Sequence, residues 1–249
     1  YTLDPEKIEP LITDKTVAIL PVHVYGHICR WQRIREIADK HGLKVIYDAA
    51  HAFGVSENGV NAAVMGDVSM FSFHATKVFH TVEGGCLAYN DGALEPFFTA
   101  WEKFGMYDGE QAELMGTNAK MTEFSAAMGL CNLRHLDEQI DCRRQAAERY
   151  RQRLNGRCGI VLSPEQTGVV SNSAYMPVRF LPEELGYDRN AVMDALAGQE
   201  IFARKYFHNM SQIHNCDLMC KRTDQCKVVT DKDHTDVFLF LQTHQKFND

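Results

Sequence analysis

From Lys15 onward, short apolar runs alternate with stretches whose apolar residues recur at helical spacing. Residues 16–22, Thr-Val-Ala-Ile-Leu-Pro-Val, are β-rich and nearly all apolar, the pattern of a strand buried on both faces. After a break at Tyr25-Gly26, Ile34, Ile37 and Ala38 fall on one helical face, and Gly42 stands where that helix would stop. Residues 43–47 then read as a second strand ending at Asp48. Strand, helix, strand predicts a βαβ unit, hence a parallel sheet and the α/β class. Residues 68–73 and 85–89 are two more strands, separated by a polar loop and expected to pair in the same sheet.

A helix is expected over residues 94–103, followed by a loop through Gly109. Thr122 is a good N-cap for a helix starting near Glu123, with Ala126, Ala127, Leu130, Leu133 and Leu136 as its apolar face. The helical pattern resumes through Ile140, Ala146, Tyr150 and Leu154 and stops at Asn155-Gly156. A smaller α+β unit follows, with a strand over 174–180 and a helix over 189–197. The expected organisation is a large domain over 1–140, a small domain over 141–207 and a loosely structured tail over 208–249. In that tail only residues 237–241 form a brief apolar run.

Composition narrows the function classes. With 45% hydrophobic and 24% charged residues in 249, the chain has the balance of a soluble globular protein rather than a disordered or repetitive one. No apolar run reaches the about 20 residues of a membrane span, and the opening Tyr-Thr-Leu-Asp-Pro is not a signal peptide, so a cytoplasmic protein is expected. The absence of an initiator Met gives the chain the look of a segment cut from something longer. Net charge is −7, and no dense Lys/Arg block is present to follow a phosphate backbone, which argues against nucleic acid as a partner. The eight cysteines are scattered, as reduced thiols would be.

Ligands of a parallel α/β sheet bind beyond the carboxyl ends of its strands. Three polar clusters fall there and should converge: His23 with Tyr25, Asp48 with His51, and Ser72 through Lys77. A carboxylate closing an apolar strand is costly unless it meets a cation. Pyridoxal phosphate chemistry uses such a set: a Lys amine for the Schiff base, a carboxylate for the pyridine nitrogen, and donors around the phosphate. Lys77, Asp48 and Ser72 are candidates for those three parts. Each also has a plain structural alternative: Asp48 as a turn residue, Lys77 as a solvated loop lysine, Ser72 as the outward face of a strand, and His51, His74 and His80 as rings satisfied by backbone groups.

The segments Val22-His23-Val24-Tyr25-Gly26, Tyr47-Asp48-Ala49-Ala50-His51-Ala52-Phe53-Gly54 and Phe71-Ser72-Phe73-His74-Ala75-Thr76-Lys77, followed by Glu83-Gly84-Gly85, closely resemble the DegT/DnrJ/EryC1/StrS sugar aminotransferases. Residues 116–123 and 126–130 match a further family block, and the likeness runs to Ala203-Arg204-Lys205-Tyr206-Phe207. The resemblance implies a pyridoxal-phosphate-dependent transferase of the aspartate aminotransferase-like type, fold type I, with a partial large domain. It implies that Lys77 forms the cofactor Schiff base and shuttles the proton, and that Asp48 pairs with the pyridine nitrogen. His51 would lie beside the ring near its phenolic oxygen, and Ser72 would bind phosphate. Asn118 would reach the phosphate of the neighbouring subunit, so a homodimer is implied.

A Lys at position 77, where a dehydrating branch of the family has His, favours transamination. The implied reaction uses glutamate as amino donor and a nucleotide-linked deoxysugar as acceptor. Residues 47–54 and 79–83 look most like members acting at C4 of dTDP-4-keto-6-deoxyglucose, in the deoxysugar supply of O-antigen and lipopolysaccharide. Measured against the family, a long opening segment is missing, with a Gly-Thr phosphate turn and an aromatic residue stacked on the ring. Weak cofactor binding is therefore expected of the chain by itself. Two other readings stand beside this one: a non-catalytic remnant that binds or assembles, and a metal-dependent hydrolase using His23, His27, Asp48, His51 and Asp67. A small zinc site from His214, Cys216, Cys220 and Cys226 is a third, for the tail alone.

Overall fold

The computed structural model describes residues 1–201, 203–205 and 238–241. In chain order its strands and helices begin with β1 (Ala18–Ile19), α1 (Trp31–His41), β2 (Lys44–Asp48), β3 (Ser56–Glu57), β4 (Val60–Asn61), β5 (Val68–Ser72), β6 (Gly85–Tyr89), α2 (Glu95–Glu102) and α3 (Glu123–Leu133). They continue with α4 (Leu136–Leu154), β7 (Ile160–Leu162), β8 (Val169–Val170), β9 (Pro177–Phe180), α5 (Pro182–Leu185), α6 (Arg189–Ala197), β10 (Ala203–Lys205) and β11 (Phe238–Leu241). The chain divides into two compact units. The first holds Tyr1–Glu6, Val17–Asp141 and Gln166–Asn172; the second holds Lys7–Thr16, Cys142–Glu165 and the described part of Ser173–Asp249.

The main sheet of the first unit has the strand order β1-β2-β5-β6. β1, β2 and β5 run parallel, as the βαβ pattern predicts, and β6 pairs with β5 as expected but turns back antiparallel on it. Helix α1 buries Ile34, Ile37 and Ala38 and packs against β2. It ends because Gly42 takes the left-handed conformation at φ 66° and turns its N–H back to Ala38 and Asp39.

Side chains alternate across the sheet with the period of two that strands impose. Val45, Tyr47, Ser69 and Phe71 are buried on one face. Asp48, Met70 and Leu87 share the other, because Asp48 is registered on Met70 and Met70 on Leu87. Met70 is 37% and Leu87 42% exposed, so the face that carries Asp48 is open.

Two apolar patterns are placed differently from expectation. The run over 16–22 is not a strand buried on both faces: Ala18–Ile19 forms a short strand at the sheet edge and Val22 an isolated bridge to Asp48, Ile19 is buried, and Val17, Leu20 and Val22 are exposed. An edge strand has a neighbour on one side alone. Helix α3 starts as predicted, with Thr122 accepting from the Ser125 N–H at 3.2 Å. Its buried residue, however, is Gly129, and Leu130 at 62% and Phe124 at 90% stand exposed. The close approach explains this: a Cβ on Gly129 would come within 2.9 Å of Thr81 Cγ2.

A second small sheet of the first unit, ordered β4-β3-β8, joins Gln166–Asn172 to the rest of that unit. In the second unit, β10-β11-β9-β7 form an antiparallel sheet whose Val178 and Phe180 pack with Ile160, Leu162, Leu185 and Leu196. The brief apolar run of the tail thus supplies a strand, β11, between β10 and β9. The rest of the tail, with His214, Cys216, Cys220 and Cys226, lies outside the described residues, as do Tyr206 and Phe207. Among the described residues five cysteines are free thiols, and no helix is long and apolar enough to cross a membrane.

Candidate active site at the ends of the parallel strands

The sheet topology brings the ends of β1, β2 and β5 side by side. Asp48 is the last residue of β2; its N–H donates to the Pro21 carbonyl at 3.0 Å, and its own carbonyl accepts from the His23 N–H at 2.9 Å. Its carboxylate Oδ1 accepts from the Ala50 N–H at 3.0 Å, which starts the turn carrying His51. An Asp at this place therefore both caps a turn and offers its remaining oxygen to the open face of the sheet.

His51 is held by the loop after β1. Its Nδ1 accepts from the Tyr25 N–H at 3.1 Å, so the ring proton sits on Nε2. The Tyr25 and His51 rings lie nearly parallel, 9° apart with centroids at 6.2 Å. Tyr25 itself takes φ 63°, ψ 15°, a left-handed conformation that costs a non-glycine residue about 1–2 kcal/mol. Burial, then the charge of Lys77, pushes the His51 pKa down to about 4, which keeps the imidazole neutral.

Lys77 sits in the loop between β5 and β6, and the sequence of that loop explains how the amine is presented. The loop is closed by Phe73 N–H to Gly84 O at 2.8 Å and Thr81 N–H to Phe73 O at 2.9 Å, and Lys77 N–H donates to His74 O at 2.9 Å. His74 Nδ1 lies 2.9 Å from Thr76 Oγ1, and Ser72 Oγ accepts from the His74 N–H at 3.4 Å, so Ser72 and Lys77 hang on the same residue. Beneath the loop, Phe53 stacks on Phe79 at 4.7 Å and meets Phe73 edge-on at 5.4 Å, while Phe73 meets Phe79 edge-on at 4.8 Å. Such aromatic pairs contribute about 0.5–1.5 kcal/mol each beyond burial. Asn132 of α3 adds a bond from its Nδ2 to the His80 carbonyl at 2.8 Å.

Asp48, His51, Ser72 and Lys77 are thus brought together in the first unit. Asn118 is exposed in the separate loop after α2, where it forms a bridge with Lys103. His23, expected to converge with the others, is turned away. Its ring stacks on Tyr47 at 4.3 Å and 6°, on the covered face of the sheet, and its Nδ1 accepts from the Cys29 N–H at 3.1 Å. Burial holds its pKa down at about 4, and Nε2 is buried without a hydrogen-bond partner. This geometry does not bring together the ligand set of the metal-hydrolase alternative. Among the described residues no three His, Cys, Asp or Glu side chains gather around one point, and Asp67 is engaged by Arg35, Lys44 and the Val45 N–H.

Sequence reasoning missed one residue that shapes the site. Asn172, 1% exposed, donates from Nδ2 to the carbonyls of His51 and Phe53, both at 3.0 Å. A polar residue between two serines, Ser171 and Ser173, gives no periodic signal of such a contact.

Known proteins share both the sequence and the architecture. The profile of the DegT/DnrJ/EryC1/StrS aminotransferase family matches residues 1–249, further than the motif likeness that ended at Phe207. The chain is 41% identical over 202 residues to the dTDP-4-amino-4,6-dideoxy-D-glucose transaminase of Shigella dysenteriae, covering 81% of this chain and 55% of that protein. It is 35% identical over 212 residues to the GDP-perosamine synthase of Caulobacter vibrioides, covering 84% and 57%. The crystal structure of DesI in the presence of its TDP-sugar product superposes with a TM-score of 0.84 at 31% identity, over 97% of this chain and 61% of that one. The chain therefore spans a little over half the length of the curated relatives it matches. Its α/β architecture is that of fold type I, as the motifs implied. By profile, by relatives and by fold, the chain belongs to the DegT/DnrJ/EryC1/StrS aminotransferase family.

Proposed function

We propose that this chain supplies the lysine-bearing face of a pyridoxal 5′-phosphate site, and that the assembled enzyme aminates a nucleotide-linked keto-deoxysugar. The observation that supports this reading is that Asp48 and Ser72 close neighbouring parallel strands, with His51 in the turn after the first and Lys77, in the loop after the second, within electrostatic reach of His51. The donor set suits the cofactor. A carboxylate answers a protonated pyridine nitrogen, a hydroxyl answers a phosphate, a proton-bearing Nε2 answers an anionic ring oxygen, and an amine answers an aldehyde. Bound there, the cofactor would supply an electron sink for the carbanion left when the amine-bearing carbon loses its proton.

The side chains divide the remaining work. Asp48 holds the proton on the ring nitrogen by its charge. The Lys77 amine takes the proton from the reacting carbon and returns it, helped by a loop whose closing hydrogen bonds limit its wandering. Ser72 orients the phosphate, and Asn118 does so for a second copy of the chain. Exposed Phe124 and Leu130 on α3 support a homodimer, since large apolar groups gathered on one helix favour a protein partner over water. The name of the Shigella dysenteriae relative supports C4 of dTDP-4-keto-6-deoxyglucose as the acceptor; glutamate as the donor and a cytoplasmic setting come with the motif resemblance.

Borohydride reduction in the presence of pyridoxal phosphate, followed by peptide mapping, tests the reading. The pyridoxyl group should appear on Lys77, and Asp48→Asn should lower capture about tenfold, the loss of one charge-assisted hydrogen bond. Labelling spread over surface lysines, with no effect of Asp48→Asn, overturns it. The open face around Asp48, Met70 and Leu87 favours one further reading, a non-catalytic binding or assembly partner. In that case a cofactor-saturated assay shows no transamination although circular dichroism reports a folded chain.

A further inference from the structure

We propose that Asn172 is a positioning residue that holds His51 in a single tautomer, with the proton on Nε2, so that the ring meets its ligand as a hydrogen-bond donor. The segment Gln166–Asn172 touches the rest of the first unit at three points. Gln166 clamps Ile28 from both sides, accepting from its N–H at 2.8 Å and donating to its carbonyl at 2.7 Å. Val169 and Val170 pair with Glu57 and Ser56. Asn172 closes the strap by spending both Nδ2 protons on the carbonyls of His51 and Phe53.

The consequence for His51 follows from what else is packed there. Gly26 lies so near that a Cβ would stand 3.0 Å from His51 O and 3.3 Å from Asn172 Oδ1. The loop after β1 and the turn after β2 are thus pressed together with Asn172 against both. In that arrangement the Tyr25 N–H is aimed at His51 Nδ1 at 3.1 Å. A backbone N–H can only donate, so Nδ1 must be the acceptor and the single ring proton is on Nε2. If Asn172 no longer fixes the 51–53 turn, the Tyr25 bond is the one that lengthens, and the alternative tautomer becomes accessible.

A fixed Nε2–H sets what His51 can do. It donates to an anionic oxygen, and it does not serve as a proton acceptor at that atom. That the oxygen belongs to the cofactor rests on the site proposed above, whereas the tautomer and its dependence on Asn172 do not.

Long-range proton–nitrogen NMR spectra of the histidine-labelled full chain near neutral pH test the proposal. In the unaltered protein His51 should show an unprotonated Nδ1 and a protonated Nε2. Asn172→Ala should bring the two nitrogen resonances toward each other, as a tautomer mixture does. Gln166→Ala, which loosens the same strap away from His51, should lower the melting temperature and leave both resonances in place. Asn172→Ser, with one hydroxyl donor in place of two amide protons, should give an intermediate spectrum and serves if the alanine variant does not fold. A protonated Nδ1 in the unaltered chain, or an unchanged His51 spectrum in the Asn172 variants, overturns the proposal. Addition of pyridoxal phosphate separates the two ideas: no response at His51 Nε2, with the tautomer as expected, sinks the cofactor reading and leaves the role of Asn172 standing.

Discussion

Two neutral imidazoles in the first unit make its stability sensitive to mild acid. His23 and His51 have their pKa values lowered from 6.5 to about 4, the first by burial, the second by burial and the charge of Lys77. Above pH 6.5 the rings are neutral in the folded and the unfolded chain alike. As pH falls from 6.5 toward 4, the unfolded chain takes up protons that the folded chain refuses, so stability declines through that window, by up to roughly 3 kcal/mol for His23. Urea midpoints at pH 7.5 and pH 5 should show this slope, and His23→Phe, which cannot be protonated, should reduce it. Gly129 is the second sensitive point. With Thr81 Cγ2 at 2.9 Å from an added Cβ, Gly129→Val should cost about 1–3 kcal/mol, and hydrogen exchange should speed up at Thr81. The candidate residues Asp48, His51, Ser72 and Lys77 stood out because each lies at or just beyond a strand end, where polar side chains need a reason. His23 satisfied the same criterion and was placed wrongly, since a ring beside a strand end can turn to either face of the sheet and sequence does not say which.

At the scale of elements, local chemistry and tertiary cover had different legibility. Gly42 and Thr122 ended and began helices as expected, because a left-handed C-cap and a hydroxyl N-cap act within a few residues of themselves. The helix Arg189–Ala197 appeared at the predicted bounds for the same reason, with Asp188 Oδ1 accepting from the Ala191 N–H at 2.8 Å. By contrast, the apolar content of residues 16–22 and of α3 was read as burial, although apolar composition states only that a surface prefers not to meet water. The lysine loop lies between these cases. Phe73 was read as the end of a strand and Phe79 only as part of a family-like segment, and their meeting beneath the loop depends on Phe53 arriving from another loop. Phe79→Ala should therefore remove about 3–5 kcal/mol, the usual cost of emptying a buried aromatic site, and urea unfolding followed by circular dichroism measures it.

For the whole molecule, self-association is the property most open to test. If α3 meets a second copy, Phe124→Asp together with Leu130→Glu should shift sedimentation from dimer to monomer. The melting temperature at low concentration should hardly change, since exposed substitutions stay within about 0.5 kcal/mol. An unchanged sedimentation coefficient in the double variant would place the association elsewhere or deny it. The division near residue 141 also shows what a sequence-order reading of domains leaves out. Residues Lys7–Thr16 join the second unit and Gln166–Asn172 the first, because a chain can contribute to a core from any distance along its length.

The strap from Gln166 to Asn172 has a consequence in time as well as in space. Its contacts with Ile28 and His51 close loops of 138 and 121 positions, far longer than those within the βαβ segment they clasp. Contacts of such separation are entropically late, so the sheet can form while the turn bearing His51 is still searching for its partner. During synthesis, a ribosome that has made everything through Lys77 has made every reacting group of the proposed site and none of the clasp that sets it. The reacting groups of the proposed site thus leave the ribosome nearly a hundred residues ahead of the clasp that sets their geometry.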